Sequence, residues 1–291
     1  MRPPHRSWLY LPATRPDRFD KALASGADAV VLDLEDAVPQ DRKEAARQEA
    51  AALVSADAPV PVYVRINGPR TQWARDDVAA VATGSVAGIR VPKVEDPGEV
   101  RTVAGWLDDV AAPVGIHCLI ESALGVERAF EIAAADPLVA GLDIGEADLA
   151  ADLGTADEEG LLYARSRCVV ATRAAGLPPP VQAVFTYVRD LAGLRASCER
   201  GRRLGFFGRS AIHPNQVAVI NEVYTPSPAE VADARAVLES AEHREGEGYL
   251  LPDGRFVDAP VIERARRTLQ LGEAYGPPVP SPGTNDEGRP S

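Results

Sequence analysis

The chain of 291 residues is poor in the groups that carry several common chemistries. Its three cysteines, Cys118, Cys168 and Cys198, are odd in number, widely spaced and outside any CxxC arrangement, which argues for a reducing compartment and against structural zinc. The four histidines, His5, His117, His213 and His243, lack metal-binding spacing, so zinc chemistry is disfavoured and mid-strand His117 reads as a core residue. No run of eighteen apolar residues occurs, and no apolar segment follows Arg2 and Arg6; the expectation is a soluble, untargeted cytoplasmic protein with no membrane partner. Positive charge is also in deficit. Against 43 Asp and Glu stand 31 Lys and Arg, and the net charge of −12 argues against nucleic acid as a partner. A phosphate-bearing cofactor would meet the same repulsion unless a basic mouth or a divalent metal offset it. Nucleophile-elbow, Walker and strand-following GxGxxG patterns are missing too, which leaves triad hydrolases, NTPases and nicotinamide enzymes without support.

What is present is an alternation. Hydrophobic residues make up 45% of the chain, enough for a full-sized core. Short β-rich apolar runs alternate with Ala-rich amphipathic segments from Arg6 to about Asn221, the pattern of a parallel sheet with crossover helices. Eight strands are predicted, over Ser7–Leu11, Ala29–Leu34, Val62–Ile66, Gly88–Val91, Val114–Ile120, Val139–Ile144, Pro180–Ala183 and Gly205–Ile212. Helices are predicted between them, among them Leu124–Ala134, Glu158–Ala175 and Leu191–Leu204. Eight such units favour an α/β fold of the (β/α)8 TIM-barrel type, filling residues 1–225. Residues 226–275 read as an appended lid or oligomerisation arm: a helix opened by Ser227-Pro228, a hairpin around Asp253-Gly254, and a final helix from about Ala259. The tail, 276–291, is rich in Pro, Gly and Ser and is expected to be disordered.

In a barrel the chemistry sits at the C-terminal ends of the strands, so polar residues directly after an apolar run are the informative ones. Strand 2 leads into Asp33, Glu35 and Asp36, strand 3 carries Arg65 and Asn67, and strand 4 ends in Pro92-Lys93. Strand 5 ends in Glu121, and strand 6 is followed by Glu146 and Asp148. Asp36, Asp148 and Asp152 can each equally be helix caps or first-turn acids. Glu121 is harder to read that way, because Ser122-Ala123-Leu124-Gly125 after it would let a ligand approach. Arg65, between Val64 and Ile66, must face the barrel interior or its mouth and needs an anionic partner there. Magnesium takes one or two carboxylates and leaves its other positions to water and substrate, a description that Glu121 and Asp148 fit.

Taken together, the segments Arg6-Ser-Trp-Leu-Tyr-Leu-Pro-Ala13, Ala27-Asp-Ala-Val-Val-Leu-Asp-Leu-Glu-Asp-Ala-Val38, Val64-Arg-Ile-Asn67, Val91-Pro-Lys-Val-Glu95, Ile120-Glu-Ser-Ala-Leu-Gly125, Gly145-Glu-Ala-Asp-Leu149 and Ser210-Ala-Ile-His-Pro-Asn-Gln216 resemble the citrate lyase beta subunit-like family of the HpcH/HpaI aldolase superfamily. The resemblance spans about residues 6 to 272. It implies a homotrimeric or hexameric barrel that binds Mg2+ through Glu121 and Asp148 and takes coenzyme A as part of its substrate. It assigns Arg65 to the substrate oxygens, places Glu35 and Lys93 around the same pocket, and puts Arg15 with Ser210, Ile212, His213 and Pro214 beside the coenzyme A. It also makes Asp258, in Phe256-Val-Asp-Ala-Pro260, a base delivered to a neighbouring subunit, although by position alone Asp258 is a cap for the final helix. One departure is Gly145-Glu-Ala-Asp148, whose glutamate stands one place earlier than the family order. The implied activity is magnesium-dependent carbon–carbon cleavage of a malyl-, citramalyl- or citryl-CoA type of ester. The alternatives are a metal-dependent aldolase releasing pyruvate from a free hydroxy-oxo acid and a non-catalytic subunit of a larger lyase complex.

Overall fold

The computed structural model describes residues 3–54, 58–83, 85–108, 114–241 and 248–276. The expected tail beyond Gly276, and His243, lie outside these residues. The first elements are β1 (Ser7–Pro12), α1 (Phe19–Leu23), β2 (Ala29–Asp33), α2 (Lys43–Val54), β3 (Val62–Arg65), α3 (Ala74–Val81), β4 (Gly88–Val91) and α4 (Pro97–Leu107). They are followed by β5 (Gly115–Ile120), α5 (Ala123–Glu127), α6 (Ala129–Ala133), β6 (Val139–Ile144), α7 (Glu146–Leu153), α8 (Leu162–Ala174), α9 (Leu191–Leu204), β7 (Arg209–Ala211) and α10 (Pro214–Tyr224). The chain continues with α11 (Pro228–Ala241), β8 (Tyr249–Leu250), β9 (Phe256–Val257) and α12 (Ala259–Tyr275).

Seven strands form one parallel sheet in the order β6-β5-β4-β3-β2-β1-β7, so the last of the seven lies against the first. Every residue of β2 and β4 is buried, as expected of parallel strands covered on both faces. Local chemistry sets the crossovers. Asp96 and Glu99 form a reciprocal capping box that starts α4 with Pro97 in its first turn. Gly205, at φ 101°, ends α9 in the left-handed conformation that glycine adopts without steric cost.

Two expectations need correction. Pro180–Ala183 is not a full strand; it makes a single parallel bridge, Gln182 to Arg209 on β7, although its backbone still bonds Phe207, Gly208 and Ser210. Its prolines, Pro178, Pro179 and Pro180, lack amide donors, so a longer ladder cannot form there. On the other side, Val181 N donates to the Asp143 side chain of β6 at 2.7 Å instead of to a strand carbonyl. The helix expected over Leu124–Ala134 is broken at Arg128 into α5 and α6.

The described chain divides into two units, Pro4–Tyr224 and a second one from Thr225 onward that also includes Pro3. The second unit has its own core, with Ala234, Val237, Val257 and Ala265 buried among Leu238, Tyr249 and Ile262. Within it β8 and β9 pair antiparallel around Gly254, whose φ is 85°. Arg255 grips Asp233 with two hydrogen bonds of 2.8 and 2.7 Å.

Candidate active site

Register brings the site together. On adjacent parallel strands Asp33 stands opposite Arg65, and both end their strands. Side chains at paired positions face the same side of a sheet, so a carboxylate and a guanidinium meet there by construction. Arg65 Nε and Nη2 donate to Asp33 Oδ1 and Oδ2, both at 2.7 Å, and Nη1 lies 2.8 Å from Glu35 Oε2. The Tyr10 ring lies beside the same guanidinium, 5.3 Å from its carbon. Two carboxylates with a bidentate fork hold the Arg65 proton far more firmly than an isolated side chain would.

Lys93 closes the other side. Its Nζ sits 2.7 Å from Glu35 Oε1 and 3.1 Å from Asp36 Oδ1, and these two carboxylates push its pKa up even against partial burial. Among the described residues Lys93 is the one non-glycine with positive φ, at 56°. That backbone turn, directly after Pro92, aims its amide at Glu121 Oε2, 2.9 Å away. Glu121 is buried, and desolvation, reinforced by the charges of Glu35 and Asp148, pushes its pKa up to about 8.

Asp148 lies exposed in the first turn of α7, near enough to Glu121 for mutual repulsion. The rim thus carries five carboxylates, Asp33, Glu35, Asp36, Glu121 and Asp148, against the two cations Arg65 and Lys93. Among the described residues no three His, Cys, Asp or Glu side chains gather into a metal cage. A two-carboxylate site such as Glu121 with Asp148 therefore suits a hard cation that keeps most of its water, and the surplus negative charge favours one.

Other residues named from the sequence fall in different places. Glu146 points away from this cluster, gripping buried Arg165 of α8 at 2.7 and 2.6 Å, so the displaced glutamate of the Gly-Glu-Ala-Asp segment ties α7 to α8. Asp152 caps α5 by accepting from Ala123 N at 2.7 Å. Asn67 ties the end of β3 to Asp77 of α3. His117 packs, partly buried, against Trp8 and Tyr63, and desolvation drives its pKa down to about 3, consistent with a core role. The residues assigned to coenzyme A lie on neighbouring strands and the loops that follow them: β7 pairs with β1, Ser210 opposite Trp8. Arg15, after β1, is forked onto Asp17; Ser210 is buried within β7, Ile212 and His213 after it are exposed, and Pro214 opens α10. Asp258 is the N-cap of α12, its Oδ1 accepting from Val261 N at 3.3 Å in the second unit.

Gly145 has a reason to be glycine. A Cβ there would overlap Glu121 Oε1 and stand 2.6 Å from its Cγ and 2.8 Å from its Cδ. Since Glu121 is buried and held by the Lys93 amide, Gly145→Ala should displace the carboxylate rather than unfold the chain. The expected outcome is a loss of magnesium affinity of roughly 10- to 100-fold, the range for disturbing a ligand's support, measured by calorimetry beside an unchanged circular dichroism spectrum.

A protein-family model, HpcH/HpaI aldolase/citrate lyase, matches residues 6–214, which contain every rim residue described above. The chain belongs to that family. It is 40% identical to a (3S)-malyl-CoA thioesterase of Cereibacter sphaeroides over 279 residues, covering 93% of this chain and 95% of that protein. A L-malyl-CoA/beta-methylmalyl-CoA lyase of the same species is 36% identical over 304 residues, covering 93% and 95%. Among solved structures, protein CitE of Mycobacterium tuberculosis in complex with magnesium, acetoacetate and coenzyme A is 33% identical, with a TM-score of 0.76 over 91% of this chain and 97% of that one.

The sequence alone left out Tyr10, beside the Arg65 guanidinium, and the Arg90–Asp143 pair, Arg90 being the register partner of Arg65. A signal existed. Arg90 lies between Ile89 and Val91 as Arg65 lies between Val64 and Ile66, and the argument that singled out one inward arginine applies to the other.

Proposed function

We propose that this protein is a magnesium-dependent lyase that cleaves the C2–C3 bond of a malyl-type 3-hydroxyacyl-CoA. The observation that carries the reading is the Arg65 cluster beside Glu121 and Asp148, a cationic fork and a pair of metal-suited carboxylates on one rim. Relatives named for malyl-CoA chemistry, and a solved neighbour holding magnesium and coenzyme A, support it. In this reading the seven strands and the Pro180–Ala183 segment close as a (β/α)8 barrel, and the protein is a cytoplasmic homotrimer or hexamer.

In this reaction a base removes the C3 hydroxyl proton, the C2–C3 electrons move into the thioester, and an oxo acid departs. The resulting enolate takes up a proton to give acetyl-CoA. Glu121 and Asp148 would hold the magnesium, which when bound supplies Lewis-acid charge for the substrate oxygens. Arg65 offers the N–H groups that neither Asp33 nor Glu35 engages to an oxygen that gains charge in the transition state. Glu35 bridges Arg65 and Lys93 and keeps both in place, so neither must reorganise as charge develops. Arg15 and the Ser210–Pro214 segment, which follow or end the paired strands β1 and β7, would receive the coenzyme A moiety. A panel of malyl-, citramalyl- and citryl-CoA incubated with magnesium tests the reading, acetyl-CoA release being scored by mass; no release from any of them would refute it.

A second reading rests on the 40% identical thioesterase: the same charges could stabilise the oxyanion formed when water attacks the thioester. Malyl-CoA would then yield malate and free coenzyme A, products that the same assay separates.

Asp258 is proposed as the base, delivered by a neighbouring subunit; the family resemblance supports this role. Asp258→Asn and Arg65→Ala proteins should each be inactive alone. Mixed under conditions that exchange subunits, they should regain activity, because some sites then receive both groups intact. No recovery on mixing would assign both groups to one chain.

A further inference from the structure

The interior beneath the rim is unusually polar. Arg90 of β4 is only 1% exposed, and a single ion pair at 2.9 Å joins its Nη2 to Asp143 of β6. Asp143 uses its second oxygen to hold the Val181 amide. Arg90 Nε and Nη1 are buried without a hydrogen-bond partner, and the guanidinium is packed on aromatic faces, 4.8 Å from the Trp8 ring centre and 5.6 Å from that of Tyr10. A buried arginine left partly unpaired is costly, and it persists when something gains from its field.

Tyr10 is the residue placed to gain. It lies on β1 two positions before Pro12, the register partner of Asp33, and its ring lies beside both Arg65 and Arg90, which face each other across β3 and β4. Trp8, Leu9 and Leu11 around it on β1 are buried, whereas Tyr10 remains partly exposed. Its hydroxyl takes no hydrogen-bond partner among the described residues. The phenol lies beside two guanidinium groups, each already paired with a carboxylate, so what it offers a substrate is an unengaged O–H donor with cationic N–H groups close by, of use to an acceptor oxygen and not to an alkyl group. Burial of the ring raises its pKa in spite of both arginines, so the phenol keeps its proton and acts as a donor.

We infer that Tyr10 is a specificity-determining residue whose hydroxyl donates a hydrogen bond to the carboxylate on the acyl group of the substrate, with Arg90 and Asp143 beneath it as positioning residues. This rests on the acyl-CoA reading above and deepens it: the enzyme selects acyl groups that end in a carboxylate over uncharged acyl groups of equal length. A site built around such a donor also rejects analogues without the acceptor, because the donor is then left dry.

Succinyl-CoA and butyryl-CoA make the test. They match in chain length, differ in the carboxylate and lack the hydroxyl that C2–C3 cleavage requires. Calorimetric titration of wild-type protein with magnesium is expected to favour succinyl-CoA by at least about tenfold. Tyr10→Phe, which keeps the ring and its packing, should weaken succinyl-CoA by roughly ten- to hundredfold, the loss of a hydrogen bond to a charged group, and leave butyryl-CoA within about twofold. Equal weakening of both ligands would make Tyr10 a packing residue, and no weakening of either would remove it from the site; each outcome overturns the inference while the wild-type preference preserves the acyl-CoA reading. Wild-type protein that binds neither thioester would instead overturn that reading, and this inference with it.

Discussion

Glu121→Gln and Asp148→Ala are each expected to abolish magnesium-dependent turnover, and to weaken magnesium by more than the roughly 10- to 100-fold that loss of an outer support costs. The reasoning starts from burial. Glu121 is a carboxylate with little access to water, held by one backbone amide and repelled by Glu35 and Asp148. Its pKa rises from an ordinary 4.5 to about 8. For an acid the sign is then fixed: a raised folded-state pKa means that the folded protein binds the proton more tightly than the unfolded chain. In metal-free protein this favourable contribution is complete below pH 4.5, and it declines as the pH rises through 4.5 towards 8. At pH 7 most of that contribution is gone, because the folded carboxyl must hold a proton that the unfolded chain has already released, and a bound cation would take the place of that proton. The Glu121→Gln protein should melt no lower than wild type in metal-free buffer at pH 7, yet gain nothing from magnesium, whereas wild type should be stabilised by it. A variant that melts lower without metal and still binds magnesium normally would make Glu121 a structural acid.

The second large effect is expected at Arg65. Lysine would keep the positive charge but lose the planar fork that engages both oxygens of Asp33. It would also lose the remaining N–H groups assigned to the substrate. Turnover by Arg65→Lys should fall roughly tenfold to thousandfold, as when an oxyanion donor is removed. The fall should appear in the turnover number more than in KM if the contact strengthens in the transition state. Near-normal kinetics would leave Arg65 as a structural partner of Asp33 and Glu35 alone.

Much of this site could be read from the chain because parallel strands deliver their ends to one rim. Asp33, Arg65, Lys93 and Glu121 each follow an apolar run, and the structure brings Asp33, Arg65, Glu35 and Lys93 into direct contact. What sequence spacing does not contain is direction across the fold. It could not tell that Glu146 turns to Arg165, nineteen residues later, while Asp148, two residues further along α7, stays near Glu121. Nor does it show that Lys93 takes a left-handed backbone, since lysine is not a residue that advertises positive φ. The Arg90–Asp143 pair spans 53 positions and depends on strands β4 and β6 both facing the interior, a three-dimensional coincidence. The Pro180–Ala183 strand failed for a local reason that was present in the sequence, the run of prolines that leads into it and ends at Pro180.

The most direct measurement is the identity of the bond broken in malyl-CoA. Purified protein, malyl-CoA and magnesium should yield glyoxylate and acetyl-CoA in equal amounts by mass spectrometry, and a chelator should stop both. Malate with free coenzyme A in their place, or turnover unaffected by the chelator, would contradict a magnesium-dependent carbon–carbon lyase.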